Sequence, residues 1–323
     1  MLFDSIDCFL RGQWATCFMF FVIAITLLLS LVGACGVSVM CSLMRVYNFI
    51  EKLSRERSWR AALQFWSLAV LLSMVGLRVS SLIVLEFSLR AISVWDASGR
   101  GVDLLLVQCQ FSLGCCLTSI LIFLHEGAPH SSLSLFLAAA LSWALASCSH
   151  SLWSHVARLF PLHSTERYCG KCITLLTSGH TILAALQRAV VLVFALATVA
   201  STTMVYDHFL SQRDALKFCT PLALCYTLLV FSIQGEFWGK TVFHTVVVRF
   251  GALLVLMMTV GSWSDVLHVL IAFLGEALCL LPSQDLLQAV LKKAPVTKEG
   301  NHHHHMRADS TSKSNIKMCS HLT

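Results

Sequence analysis

The chain has 323 residues, of which 57% are apolar and 12% charged. Soluble domains carry roughly 25% charged residues, so this chain has too few to coat a soluble body of its size, and a mean hydropathy of +0.75 agrees. Composition excludes a soluble enzyme, a disordered scaffold and a collagen-like rod, and points to an all-α fold, a polytopic transmembrane helix bundle.

Three regions follow in order: a short N-terminal segment (1–13), a multi-pass membrane domain (14–291) and a polar, disordered C-terminal tail (292–323). Asp4, Asp7 and Arg11 precede an uncharged run from Gly12 to Met44. That run is too long for a cleaved signal, whose apolar core is about 7–15 residues. A spanning helix needs about 20 mostly apolar residues. Charge-free runs predict about eight spans: Trp14–Leu43, Ala61–Leu85 with Arg78 inside it, Leu104–Leu124, Ser132–Leu152, Ala189–Tyr206, Thr220–Gly235, Phe243–Ser262, and Val266–Leu281 with Glu276 inside it. Thr220 reads as an N-cap with Pro221 at the first helical position. Pro129, Pro161, Pro221, Pro282 and Pro295 are expected at helix ends or between helices. The apolar stretch Cys172–Gln187 is short and holds Thr174, Thr177, Ser178, Gly179 and His180. It reads as a ninth span, a re-entrant piece or an interfacial helix, with the interface favoured. Asp285–Lys293 is expected to form a short amphipathic helix.

Orientation follows from Lys and Arg in the loops. With eight spans, the larger share of basic residues puts both termini in the cytoplasm. The first loop disagrees, because it holds Arg45, Lys52, Arg55, Arg57 and Arg60. A nine-span chain would place that loop inside and the N-terminus outside. Both arrangements leave the C-terminus cytoplasmic, and neither specifies which membrane.

The 14 Cys lie mostly in apolar runs and read as small hydrophobes. No basic patch interleaves with aromatics, so nucleic acid is not an expected partner. The expected partner is the lipid bilayer, and the sequence points to no particular protein partner.

Several words are distinctive: VLEFSLRA (84–91), CQFSLGCCLT (109–118), FLHEGAPH (123–130), LHSTERYCGKC (162–172) and CTPLALCYTLLV (219–230). Together they resemble vertebrate transmembrane protein 82, a family of polytopic membrane proteins, from about the first span to the eighth. The resemblance implies a multi-pass membrane location. It implies no activity, substrate or catalytic residue.

Candidate chemistry is sparse. His125-Glu126 with His130 superficially resembles a zinc-protease helix, but that motif needs two His at i and i+4. Here the spacing is five and Pro129 intervenes. His125/His130 and His150/His155 are too few for a di-iron oxygenase. His302–His305 form the only His run, in the tail. Cys169-Gly170-Lys171-Cys172 is a lone C-x-x-C, for which a helix start at the membrane surface is favoured over redox or metal chemistry. Arg78, Glu86, Arg188, Arg249, Asp265 and Glu276 sit within or beside apolar runs, where charges pair or line a pathway. Arg188, Arg249 and Asp265 are read as reaching headgroups, Glu86 as pairing with Arg90 at i+4, and Arg78 and Glu276 as the deepest, coupled across the bundle. No catalytic, cofactor-binding or metal residue is assigned. Arg78, Glu276, Cys169 and Cys172 remain as functional candidates in a non-enzymatic, multi-pass membrane protein. A transporter or channel using Arg78 and Glu276 is the alternative.

Overall fold

The computed structural model describes residues 2–51, 58–96, 102–127, 131–165, 169–208, 242–260 and 262–288. Among the described residues the chain is helical with no strand: α1 (Leu2–Glu51), α2 (Ser58–Met74), α3 (Leu77–Asp96), α4 (Val102–Gln108), α5 (Gln110–Gly127), α6 (Ser131–Thr165), α7 (Gly170–His208), α8 (Val242–Val260) and α9 (Trp263–Leu280). A 3-10 turn, Leu281–Ser283, follows α9.

Four stretches are long and apolar enough to cross a membrane: Met19–Ile50, Leu133–Leu159, Thr177–Met204 and Trp263–Gln288. The pair Arg60–Met74 and Leu77–Ile92, bent by 108° at its break, is a broken fifth span or a re-entrant hairpin. Gln110–His125 and His244–Met258 are shorter apolar helices. The described residues thus hold fewer spans than the eight expected. The expected second span breaks at Gly76, and the third is divided by a turn at Cys109. The sixth, Thr220–Gly235, lies outside the described residues, as do Pro221, Pro295 and the tail.

Three further expectations are corrected. Cys172–Gln187 is not a separate interfacial helix, because it is continuous with Ala189–Tyr206 in α7. The hydroxyls of Thr174, Thr177 and Thr181 donate to carbonyls of Gly170, Ile173 and Ser178, one turn back on the same helix. Their polarity is consumed within the helix, so it does not force the segment to the surface. Pro161 lies inside α6, which runs on to Thr165. Pro282 does not close the last helix; it sits in the 3-10 turn, and helix resumes as far as residue 288.

The break at Gly76 has a clear cause. Its φ of +73° is in the left-handed region, which glycine enters without a Cβ clash. The carbonyl of Met74, at the end of α2, accepts from His268 Nδ1 of α9 at 2.6 Å, and Ser80 N–H donates to the Gly76 carbonyl at 3.1 Å. A break in lipid must satisfy its freed backbone groups, and α9 and the first turn of α3 supply two of those bonds.

α1 packs most extensively on α5 and α6. Without a hydrophobic driving force in lipid, helices associate through close fit. Gly36 and Gly275 provide it: a Cβ at Gly36 would lie 2.1 Å from Leu117 of α5, and one at Gly275 would lie 2.2 Å from Phe111. A second apolar cluster joins Val46 and Phe49 of α1, Trp153 and Val156 of α6, and Leu175 of α7.

Candidate functional site

The main core encloses a charged cluster built from three helices. Arg249, in the middle of α8, is 1% exposed. Its guanidinium grips Glu276 of α9 in a two-pronged pairing, Nη1 to Oε1 at 3.0 Å and Nη2 to Oε2. Its Nε lies 3.3 Å from Glu86 Oε2 of α3, an ion pair without hydrogen-bond alignment. The guanidinium carbon also sits 4.8 Å from the Phe250 ring centroid, within cation–π range. Arg90, one turn beyond Glu86, is buried and donates through Nη2 to Gln108 of α4. The planar fork of arginine matches a carboxylate at two points, which suits the one cation that two acids share.

This geometry corrects the sequence reading of the charges. Glu276 pairs with Arg249 and not with Arg78. Arg249 does not reach the headgroups. Arg78 is the shallow member: its side chain is 52% exposed and pairs with Asp265 at 3.5 Å, beside the Gly76 break. Asp265 also accepts from the Ser262 N–H and hydroxyl, each at 3.1 Å, closing the first turn of α9 as a capping box. Arg188 is exposed on α7, well inside the Thr177–Met204 span rather than ahead of it.

The C-x-x-C motif lies where α6 hands over to α7. Cys169 immediately precedes α7 and Cys172 is on its first turn. The α6–α7 connection brings His155 to both: Nε2 is 3.4 Å from Cys169 Sγ and 3.5 Å from Cys172 Sγ. Cys172 is fully buried, while Cys169 and His155 are half-buried. The Cys172 backbone N–H donates to Cys169 Sγ at 3.4 Å. That bond, with one from the Cys172 side chain, holds the Cys169 thiol below its ordinary pKa. Burial pushes the Cys172 thiol up to about 11. Sequence reasoning had not tied His155 to this motif; the available signal was a His fourteen residues before Cys169, on the other arm of a helical hairpin. Elsewhere, His125 occupies the last turn of α5, and the side chains of Glu126 and His130 lie outside the described residues, as does the His302–His305 run.

Long apolar helices packed through glycines around a buried arginine–carboxylate cluster define an integral membrane protein of the helical, multi-pass class. Residues 24–301 match the family model described as Transmembrane protein 82, and the chain belongs to that family. No solved structure matches it.

Proposed function

We propose that the chain is a non-enzymatic membrane protein, a rigid bundle locked at mid-depth by the Glu86–Arg249–Glu276 cluster, with seven crossings and one re-entrant hairpin in place of eight crossings. The observation that carries the lock is the shared cation: Arg249 engages both carboxylates and is itself fully enclosed. Removing one partner of a buried pair is costly, because it strands the other charge. Such a cluster therefore fixes one arrangement of α3, α8 and α9. Lipid is the surrounding partner, toward which Phe20, Leu141, Leu145 and Val199 project.

Helix directions support the topology. α2 runs against α1, with Leu72 beside Gly33 near the middle of the first span. After Gly76, α3 turns back until Arg90 meets Gln108, just before Gln110, which accepts from Cys41. α2 and α3 thus enter and leave by the Ile50 face. α5 then descends from Cys41 past Gly36. α6 parallels α1, with Ser142 at Cys35 and Trp153 at Phe49. α7 starts beside Ile50 and runs the opposite way. α9 ends beside Arg45 and Asn48. The seventh crossing is the span expected from sequence at Thr220–Gly235, which lies outside the described residues.

The Ile50 face then gathers Lys52, Arg55, Arg57, Arg158, Lys171 and the basic tail, while Arg11, Arg213 and Lys217 are left on the other. By the positive-inside rule the Ile50 face is cytoplasmic. The C-terminus is cytoplasmic, the N-terminus is outside, and the basic first loop no longer disagrees with the rest.

One observation favours a second reading, transport. A broken helix pair packed against buried charges is the pattern of many ion pathways. That pathway would use Glu86, Arg249 and Glu276 and not Arg78. The two readings separate in proteoliposomes holding the wild type or Glu276→Gln. The lock predicts that neither carries proton or sodium flux above empty vesicles. Wild-type flux that Glu276→Gln abolishes would establish the pathway and overturn the lock.

A further inference from the structure

Three side chains at the cytoplasm-facing end of the α6–α7 hairpin have the identity and spacing of a metal site. Zinc binds thiolate sulfur at about 2.3 Å and imidazole nitrogen at about 2.0–2.1 Å, in tetrahedral geometry. Those lengths place a sulfur and a nitrogen on one ion about 3.5–3.6 Å apart. His155 Nε2 lies 3.4 and 3.5 Å from the two sulfurs, and the three ligand atoms fall within 4.8 Å of one another. We propose that His155, Cys169 and Cys172 form a site for a thiophilic divalent ion of the zinc type, with solvent in the fourth position.

Local structure supports each ligand. The turn into α7 folds Cys169 back over the helix start, so the Cys172 N–H points at Cys169 Sγ. An N–H aimed at sulfur favours the thiolate, the form that binds metal. Two thiolates and an imidazole suit zinc and disfavour magnesium and calcium, which take oxygen ligands. Cys172 and the neighbouring Trp153, Val156 and Leu175 form the buried wall, and the half-exposed Cys169 leaves a side open for entry.

The site also has a mechanical consequence. α6 and α7 share few other contacts, so an ion held by His155 on one and the C-x-x-C on the other would staple the hairpin. Its place on the proposed cytoplasmic face suits it, since thiols stay reduced there. A Cys169–Cys172 disulfide is the competing fate of the same residues.

The test uses the full chain carrying His302–His305→Ala, so that the tail cannot supply imidazoles, purified in detergent under reducing conditions without a polyhistidine tag. Zinc is measured by mass spectrometry, and Co2+ is titrated into chelator-treated protein. The proposal predicts about one zinc per chain and, with Co2+, thiolate-to-cobalt charge-transfer and tetrahedral ligand-field bands that zinc displaces. Cys169→Ser, Cys172→Ser and His155→Ala should each abolish the bands, and Cys148→Ser, an exposed thiol elsewhere on α6, should retain them. The His302–His305→Ala chain with the site intact decides the matter even where a further variant fails to fold. That chain, folded and reduced, without the charge-transfer band overturns the proposal, as does its recovery with a Cys169–Cys172 disulfide, or bands that survive in a folded Cys169→Ser/Cys172→Ser variant.

Discussion

Arg249 shows what a single chain conceals about its own charges. Its position near the start of an apolar run suggested a headgroup contact, yet it is among the most enclosed side chains of the protein. Distance along a helix gives a depth; it does not give the face the side chain occupies or what lies opposite. Glu276 was legible as deep, but its partner had to be read from the packing of α8 on α9. Arg78 is the converse case, enclosed in an apolar run in the sequence and yet half exposed because the helix breaks just before it. Exposed ion pairs contribute about 0–1 kcal/mol, so Arg78→Leu should shift thermal melting little, and a loss as large as that of a buried pair would mean the Asp265 contact is shielded. The paired thiols give a pH prediction. With Cys169 held below the ordinary thiol range and Cys172 raised to about 11, chelator-treated protein should alkylate first at Cys169. That preference should persist as pH falls and narrow only as pH rises toward the Cys172 value. Peptide mass spectrometry across pH reads the order, and equal rates at neutral pH would contradict it.

At the scale of elements, the α-helical class and most helix positions were legible because lipid leaves the backbone no alternative. Breaks were harder. Gly76 is the only glycine in Ala61–Leu85 and stands two residues before Arg78, so a signal existed, but a glycine alone is tolerated in membrane helices. What makes it a hinge is His268 reaching the Met74 carbonyl from a helix almost two hundred residues later. Gly76→Ala should cost about 1–2 kcal/mol through its left-handed φ, since the new Cβ would meet His268 at an ordinary 3.5 Å. Melting of Gly76→Ala beside Gly76→Asn tests this: Asn tolerates the left-handed region and should lose less. Equal losses would point to crowding and away from backbone strain. The opposite error occurred in α7, where threonines suggested an interface and their hydroxyls instead bond back along the helix.

At the scale of the whole molecule, family membership and the membrane location were legible from the distinctive words and from composition. The number and sense of the crossings were not, because hydropathy cannot distinguish a span from a hairpin that enters and returns. The re-entrant α2–α3 reading makes a topological prediction that eight crossings do not. Tags at Met1 and Thr323 should lie on opposite sides, with only the N-terminal tag reached by antibody in intact cells, provided that the protein is at the cell surface. Protection of both tags until permeabilisation would restore eight crossings.

Whether the buried cluster locks the bundle is read by a melting cycle in detergent on Arg249→Leu, Glu276→Leu and the double variant. Either single change should lose about 3–5 kcal/mol, and the double variant clearly less than the sum, because the two side chains share one interaction. Single losses that simply add, or single variants that melt like the wild type, would contradict the lock.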